Sequence, residues 1–308
     1  MGKAGKTLVL IATALWGIVA FVPWGFGQGS PSALADARQK YEAGEYRPAL
    51  QLIATELSNG STNPRNAAPS PQRYELLMLR GECLLRVDQR SSAADSFSQA
   101  ERSAGTPQEY GLAHANAMLV KASPNNKYPA RGTPLDILDP ESRKQAFGAM
   151  HDERMAMLKP RLDRAVTATT LPPLFEMLDP LLDIAALEFA ANGNASGTRD
   201  TLMDLGTRAR GLISDELRRI NARLNALEDA SNSVVGGAVG FVTRRGLYSN
   251  EAQEVRDTID YLGKIEKTGR DVRQRAQKLG FAADAWAPII ADTADLTDRA
   301  QAMLNIAS

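Results

Sequence analysis

Asp179 and Asp183 stand four residues apart in an apolar stretch, a spacing that puts two carboxylates on one helical face. Buried together, such a pair raises the pKa of one member and can do acid–base chemistry. Flanking a kinked helix end in solvent, the commoner setting, it does none. His114 and His151 are the only histidines. His151-Asp152-Glu153 are consecutive, which does not bring two metal ligands onto one helical face, and the Glu-x-x-His motifs of di-iron bundles are absent. Cys83 is the only cysteine. It lies on the apolar side of its segment with no catalytic signature around it, so a buried structural thiol is expected. The run Val234–Val242 (VVGGAVGFV) is glycine-rich, but Thr243-Arg244-Arg245 follows where a phosphate loop continues Gly-Lys-Ser/Thr, and no strand precedes it. Its plain reading is a flexible apolar loop between helices, with Gly236–Phe241 as a possible partner or lipid contact. No catalytic residue, metal or cofactor is expected.

The elements that would position these residues are helices. Residues 73–101 contain two short amphipathic segments around a polar turn at Asp88-Gln89. Leu77, Leu84 and Leu85 line the first. Ala93, Phe97 and Ala100 line the second, and Ser91 or Ser92 is placed to cap it. Gly81 inside a helix costs about 1 kcal/mol relative to Ala, which implies a close crossing, with Ala93 opposite. Forty-four residues upstream, Ala37, Ala49 and Ile53 repeat the spacing of Gly81, Ala93 and Phe97 around a Gly44-Glu45-Tyr46 turn, with Glu56 where a small residue is expected. The loop 58–71 separates the two units. A helix over 108–122 follows in register and stops at Ser123-Pro124.

This spacing of Gly81, Ala93, Phe97 and Ala100 resembles the tetratricopeptide repeat (TPR), over residues 32–122 only. The resemblance implies two helical hairpins and a closing helix, with a partner peptide lying across the inner face of the first helices. The matching positions are Leu34, Arg38 and Tyr41; then Glu75, Met78, Glu82, Leu85 and Arg86; then Leu112 and Asn116. Tyr41, Met78 and Leu85 would supply apolar area, with Arg38 and Glu82 setting register.

Residues 1–27 form an export signal: Lys3 and Lys6, then sixteen uncharged residues (7–22), Pro23, and small residues before Gln28. The apolar run is shorter than the roughly 20 residues of a spanning helix, so a cleaved signal and a periplasmic or secreted protein are expected, with an uncleaved membrane anchor as the alternative. The 36 basic and 36 acidic residues balance, and losing Lys3 and Lys6 leaves a net charge of −2. That balance gives no case for nucleic acid or an anionic membrane.

After a proline-bearing linker at 125–139, residues 140–308 read as an antiparallel bundle. An Arg- and Met-rich helix spans 141–168 and bends at Pro160. The segment 171–191 is apolar on nearly every side and should be the central helix. Seams at threes and fours run through Leu202, Leu205, Ala209, Ile213, Leu217, Ile220, Leu224 and Leu227. Val255, Thr258, Leu262, Ile265, Gly269, Val272, Ala276 and Leu279 form a second seam. After Asp284, a cap, a third runs through Trp286, Ile289, Thr293, Leu296, Ala300 and Met303. The expected protein is all-α: TPR-like residues 28–124, linker, long-helix bundle. The expected function is an exported, non-enzymatic scaffold or adaptor that binds another envelope or secreted protein. An envelope structural protein that homo-oligomerises through its long helices, and an all-helical envelope enzyme, are the alternatives.

Overall fold

The two upstream hairpins turn by the same device. In the computed structural model, which describes residues 33–59, 71–130, 132–231, 247–281 and 286–307, α1 (Ala33–Glu42) ends in Gly44 at φ +78°. The Gly44 N–H donates to Tyr41 O (3.0 Å) and the Glu45 N–H to Lys40 O (2.8 Å) before α2 (Tyr46–Asn59) begins. In the second pair, α3 (Pro71–Arg86) ends in Asp88 at φ +59°. Its N–H donates to Leu85 O (3.1 Å) and that of Gln89 to Leu84 O (2.8 Å), and α4 (Arg90–Ser103) follows. Each turn satisfies two orphan carbonyls through one left-handed residue. Gly44 and Asp88 are 44 positions apart, the offset read from the small residues. Because the Asp88 turn places Gln89 at the helix start, α4 takes no side-chain cap, and Ser91 and Ser92 sit exposed within its first turn.

The close approach at Gly81 is to Phe97 rather than to Ala93. A Cβ at Gly81 would lie 2.5 Å from Cε1 of the Phe97 ring, which is fully buried. α5 (Pro107–Ala122) opens with a reciprocal capping box between Thr106 and Glu109. It was expected to close an open end. It is a seam instead: Gly111 faces Phe189, whose Cβ would be 2.8 Å from a Cβ at position 111.

The remaining elements are a 3₁₀ turn (Pro124–Asn126), β1 (Lys127–Tyr128) paired antiparallel with β2 (Leu135–Asp136), and five helices. These are α6 (Pro140–Thr167), α7 (Pro172–Asn192), α8 (Ser196–Ser231), α9 (Ser249–Lys278) and α10 (Trp286–Ala307). The described residues are all-α apart from the two short strands, and α6 runs through Pro160 as one element. α7 buries nearly every side, from Leu174 to Glu188, as its composition requires. Glu188 is there for a reason other than hydropathy. Its carboxylate accepts from the N–H groups of Gly197 (3.1 Å) and Thr198 (3.0 Å) and from the Thr198 hydroxyl (2.7 Å), so it stops the positive end of α8. Gly193 at φ +76° reverses the chain between them.

The three long seams are buried nearly residue for residue: Leu205, Ala209, Ile213, Leu217, Leu224 and Leu227 on α8, and Val255, Leu262, Ile265, Gly269, Val272 and Ala276 on α9. On α10, Ile289, Thr293, Ala300 and Met303 are buried. Buried Thr293 donates its hydroxyl to Ile289 O (2.6 Å), which is how a polar residue sits in that seam. α10 packs against both α9 and α8.

Position 125–139 is not a linker. Tyr128 and Ile137 are buried in one cluster with Leu84, Leu85 and Phe97 from the hairpins and with Phe147, Met150 and Leu187 from beyond. The residues Ala33–Ser308 accordingly form one compact unit. The expected signal segment at 1–27, the expected loop at Gly236–Phe241 and the expected cap Asp284 lie outside the described residues.

Candidate functional site

The predicted groove positions divide into two ends, which meet where the Arg86 guanidinium hydrogen-bonds Tyr41. At the first end, Leu34 and Tyr41 pack on the cluster of Ala37, Ala49, Ile53, Leu76 and Cys83, and Tyr41 meets Tyr46 edge-on at 5.5 Å. Arg38 donates to Glu75 at 2.8 Å across the exposed surface. Met78 is half-buried between clusters. Leu112, on α5, is 38% exposed. Leu34, Tyr41 and Met78 are thus half-buried, and the partly exposed Arg38–Glu75 pair joins α1 to α3 beside them.

At the second end, the chain covers its own face. Leu85 is 1% exposed and Asn116 2%, so neither presents a surface to another molecule in this arrangement. The occupant is the segment expected to be a linker. Ile137 is fully buried against this end. The Arg86 guanidinium donates to Leu138 O at 2.9 Å. Arg143, on the first turn of α6, pairs both terminal nitrogens with the two oxygens of Glu82, Nη2 to Oε2 at 2.9 Å. Arg143 Nε donates to Ile137 O (2.6 Å), and its Nη1 reaches Asn116 Oδ1 (3.4 Å). Asn116 Nδ2 in turn donates to Leu112 O (2.8 Å). Arg143 was not singled out from sequence. Its only local signal is position: it follows the Asp139-Pro140 helix start, where Asp139 accepts from Ser142 N–H (2.8 Å).

Cys83 is a closed thiol: burial, then the neighbouring Glu82 charge, push its pKa up to about 12. Among the described residues, no group of three or more His, Cys, Asp or Glu is placed to hold a metal ion, and no helix is long and apolar enough to cross a membrane.

A second cluster sits where α4, α5, α7 and α9 meet, centred on His114. His114 lies between two carboxylates, Nδ1 3.0 Å from Glu101 and Nε2 3.0 Å from Asp183. Arg275 bridges Asp179 (2.8 Å) and Asp183 (2.5 Å), and Arg154 approaches Asp183 at 3.7 Å. The Tyr110 ring stacks on the imidazole with centroids 6.0 Å apart, and Lys278 lies over Tyr110. Burial opposes charge on His114, but hydrogen bonds to Asp183 and Glu101 and their charges outweigh it and carry the pKa to about 9. Burial also opposes charge on Asp183 and Glu101. His114, and for Asp183 also Arg275, more than offset it and hold both carboxyls below their usual range. The raised pKa that a buried Asp179/Asp183 pair would bring, the less common of the two readings, is absent at Asp183, whose pKa is lowered. With both ring nitrogens engaged, the imidazolium is a rivet between helices.

No family model, no curated protein and no solved structure matches this chain. What the geometry offers is therefore carried by these residues alone: a face that grips a main-chain carbonyl and a guanidinium at one end and is open at the other.

Proposed function

We propose that this chain is an exported, non-enzymatic interaction protein, a scaffold or adaptor that receives a segment of another envelope or secreted protein on the inner face of two TPR-like hairpins. One observation carries the reading. Arg86 holds the non-helical segment before α6 by the Leu138 carbonyl, while Glu82 and Asn116 hold Arg143 on the first turn of α6, and a helical face that binds a carbonyl and a guanidinium can take a peptide without a strand ladder. The matching turns at Gly44 and Asp88 support the repeat assignment. Export rests on the pattern of residues 1–27 alone.

The alternatives have less behind them. Oligomerisation through the long helices needs apolar seams, and those of α8, α9 and α10 are largely buried within one chain. Enzyme chemistry at Asp179 and Asp183 needs a proton on one of them, and both carboxylates are paired with Arg275.

The test is photo-crosslinking in the native envelope with Met78 replaced by a photoreactive residue, followed by mass spectrometry. A discrete adduct to another protein supports the reading and names the partner. Adducts confined to this chain would end it.

A further inference from the structure

The hairpin from Lys127 to Asp139 has an unusual attachment to the face it covers. Its own backbone bonds are internal: β1 with β2, Ile137 N–H to Asn126 O (3.0 Å), and Asp139 N–H to Asp136 O (3.2 Å). Across the interface to α3 and α5, the polar connections are Arg86 to Leu138 O, and Arg143 to Glu82 and Asn116. The apolar connection is made by buried Ile137, with Leu135 and Leu138 partly buried against the same cluster and Tyr128 buried in it. Tyr128 anchors the other end on α6, its hydroxyl donating to Glu153 at 2.6 Å. Between the two strands lie Pro129, Gly132 at φ +103° and Pro134. The hairpin is therefore a small unit held to the face by Ile137, with Leu135 and Leu138 partly buried beside it, and by a few charge-assisted bonds, an attachment small enough to open without global unfolding.

We infer that Leu135–Arg143 is a displaceable plug that occupies the second end of the face in cis, and that the partner replacing it presents an aliphatic side chain beside an arginine. The requirement follows from what the plug would leave behind. Without Arg143, the half-buried Glu82 carboxylate loses both of its bonds, and only a fork of parallel N–H donors restores them. Without Ile137, a fully buried apolar slot is empty, and an aliphatic group refills it at least cost. Arg86 then takes a main-chain carbonyl of the newcomer as it now takes that of Leu138. The open first end, with Arg38, Tyr41, Glu75 and Met78, extends the same face and gives an incoming segment its first contact.

The inference rests on reading the face as a partner site, and its test separates the two. Full-length wild type and Arg143→Gln are compared by hydrogen exchange. The amides of 135–139 are expected to exchange roughly ten- to hundred-fold faster in the variant, while those of α7 stay unchanged. A labelled peptide spanning 126–147 is then added. It should bind the variant at least ten-fold more tightly than wild type, and the same peptide carrying Arg143→Gln should bind neither protein. Exchange of 135–139 in step with α7 in both proteins would overturn the plug. So would equal binding of the two peptides. If Arg143→Gln does not fold, Ile137→Ala weakens the plug and leaves Glu82 in place, with the same readings expected. Failure of both variants to fold would make the hairpin core and end the proposal. A partner adduct at Met78 that the peptide cannot displace would sink the plug and leave the partner site standing. Peptide binding with no adduct in the envelope would do the reverse.

Discussion

The Phe97 ring lies on the backbone of Gly81, at a distance where even a methyl group on that glycine would overlap three ring carbons. Phe97 has no exposed surface. Gly81→Ala should gain about 1 kcal/mol of helix propensity and lose more through overpacking, for a net destabilisation of about 1–2 kcal/mol. Gly81→Leu should prevent the hairpin from folding. Adding Phe97→Leu to Gly81→Ala should recover part of the loss, and a double-mutant cycle in urea reads the coupling.

The His114 cluster makes stability depend on pH in a definite direction. The imidazole is raised from about 6.5 to about 9, so its contribution is complete below pH 6.5 and is lost as pH climbs through 9. Glu101 and Asp183 are lowered, so theirs is complete above the ordinary carboxylate range and is lost under more acid conditions. Stability should therefore peak between about pH 5 and 6.5. Between pH 6.5 and 9.5 it should fall by about 1–3 kcal/mol, and His114→Gln should flatten that limb. Urea midpoints across the range check it; an unchanged limb in the variant would contradict the assignment.

Glu188 offers a test of helix-end electrostatics inside a core. Its carboxylate satisfies two N–H groups and a hydroxyl at the start of α8. Glu188→Ala leaves those donors buried without a partner and should cost about 2–4 kcal/mol. Glu188→Gln keeps one acceptor and should cost less. Thermal melts of the two variants, compared with wild type, give the ordering.

The paired turns predict opposite responses to one exchange. Asp88 holds the left-handed conformation that Gly44 holds more cheaply. Gly44→Ala should destabilise by about 1 kcal/mol, although nothing lies within 4 Å of a Cβ there. Asp88→Gly should be neutral or gain a few tenths, since its ion pair with Arg90 is solvent-exposed. Equal losses at both positions would deny the equivalence of the turns.

What the sequence determined by itself is what depends on near neighbours. Threes and fours of apolar residues specify each helix and the stripe it buries, which is why the seams of α8, α9 and α10 were legible down to single residues such as Ile213 and Leu262. Glycine and aspartate at turn positions likewise carry their meaning within five residues of chain. The tertiary structure alone decided how those stripes meet. His114 finds Asp183 at a separation of 69 residues, and Arg275 finds it at 92. Arg143 finds Glu82 at 61. Such pairs leave no period to read, because an ion pair needs only two atoms within reach and any charged residue on a surface face looks alike. For the same reason 125–139 read as a linker: its prolines are visible locally, while the cluster that takes in Ile137 is assembled from α3, α4, α5, α6 and α7 only after they have packed.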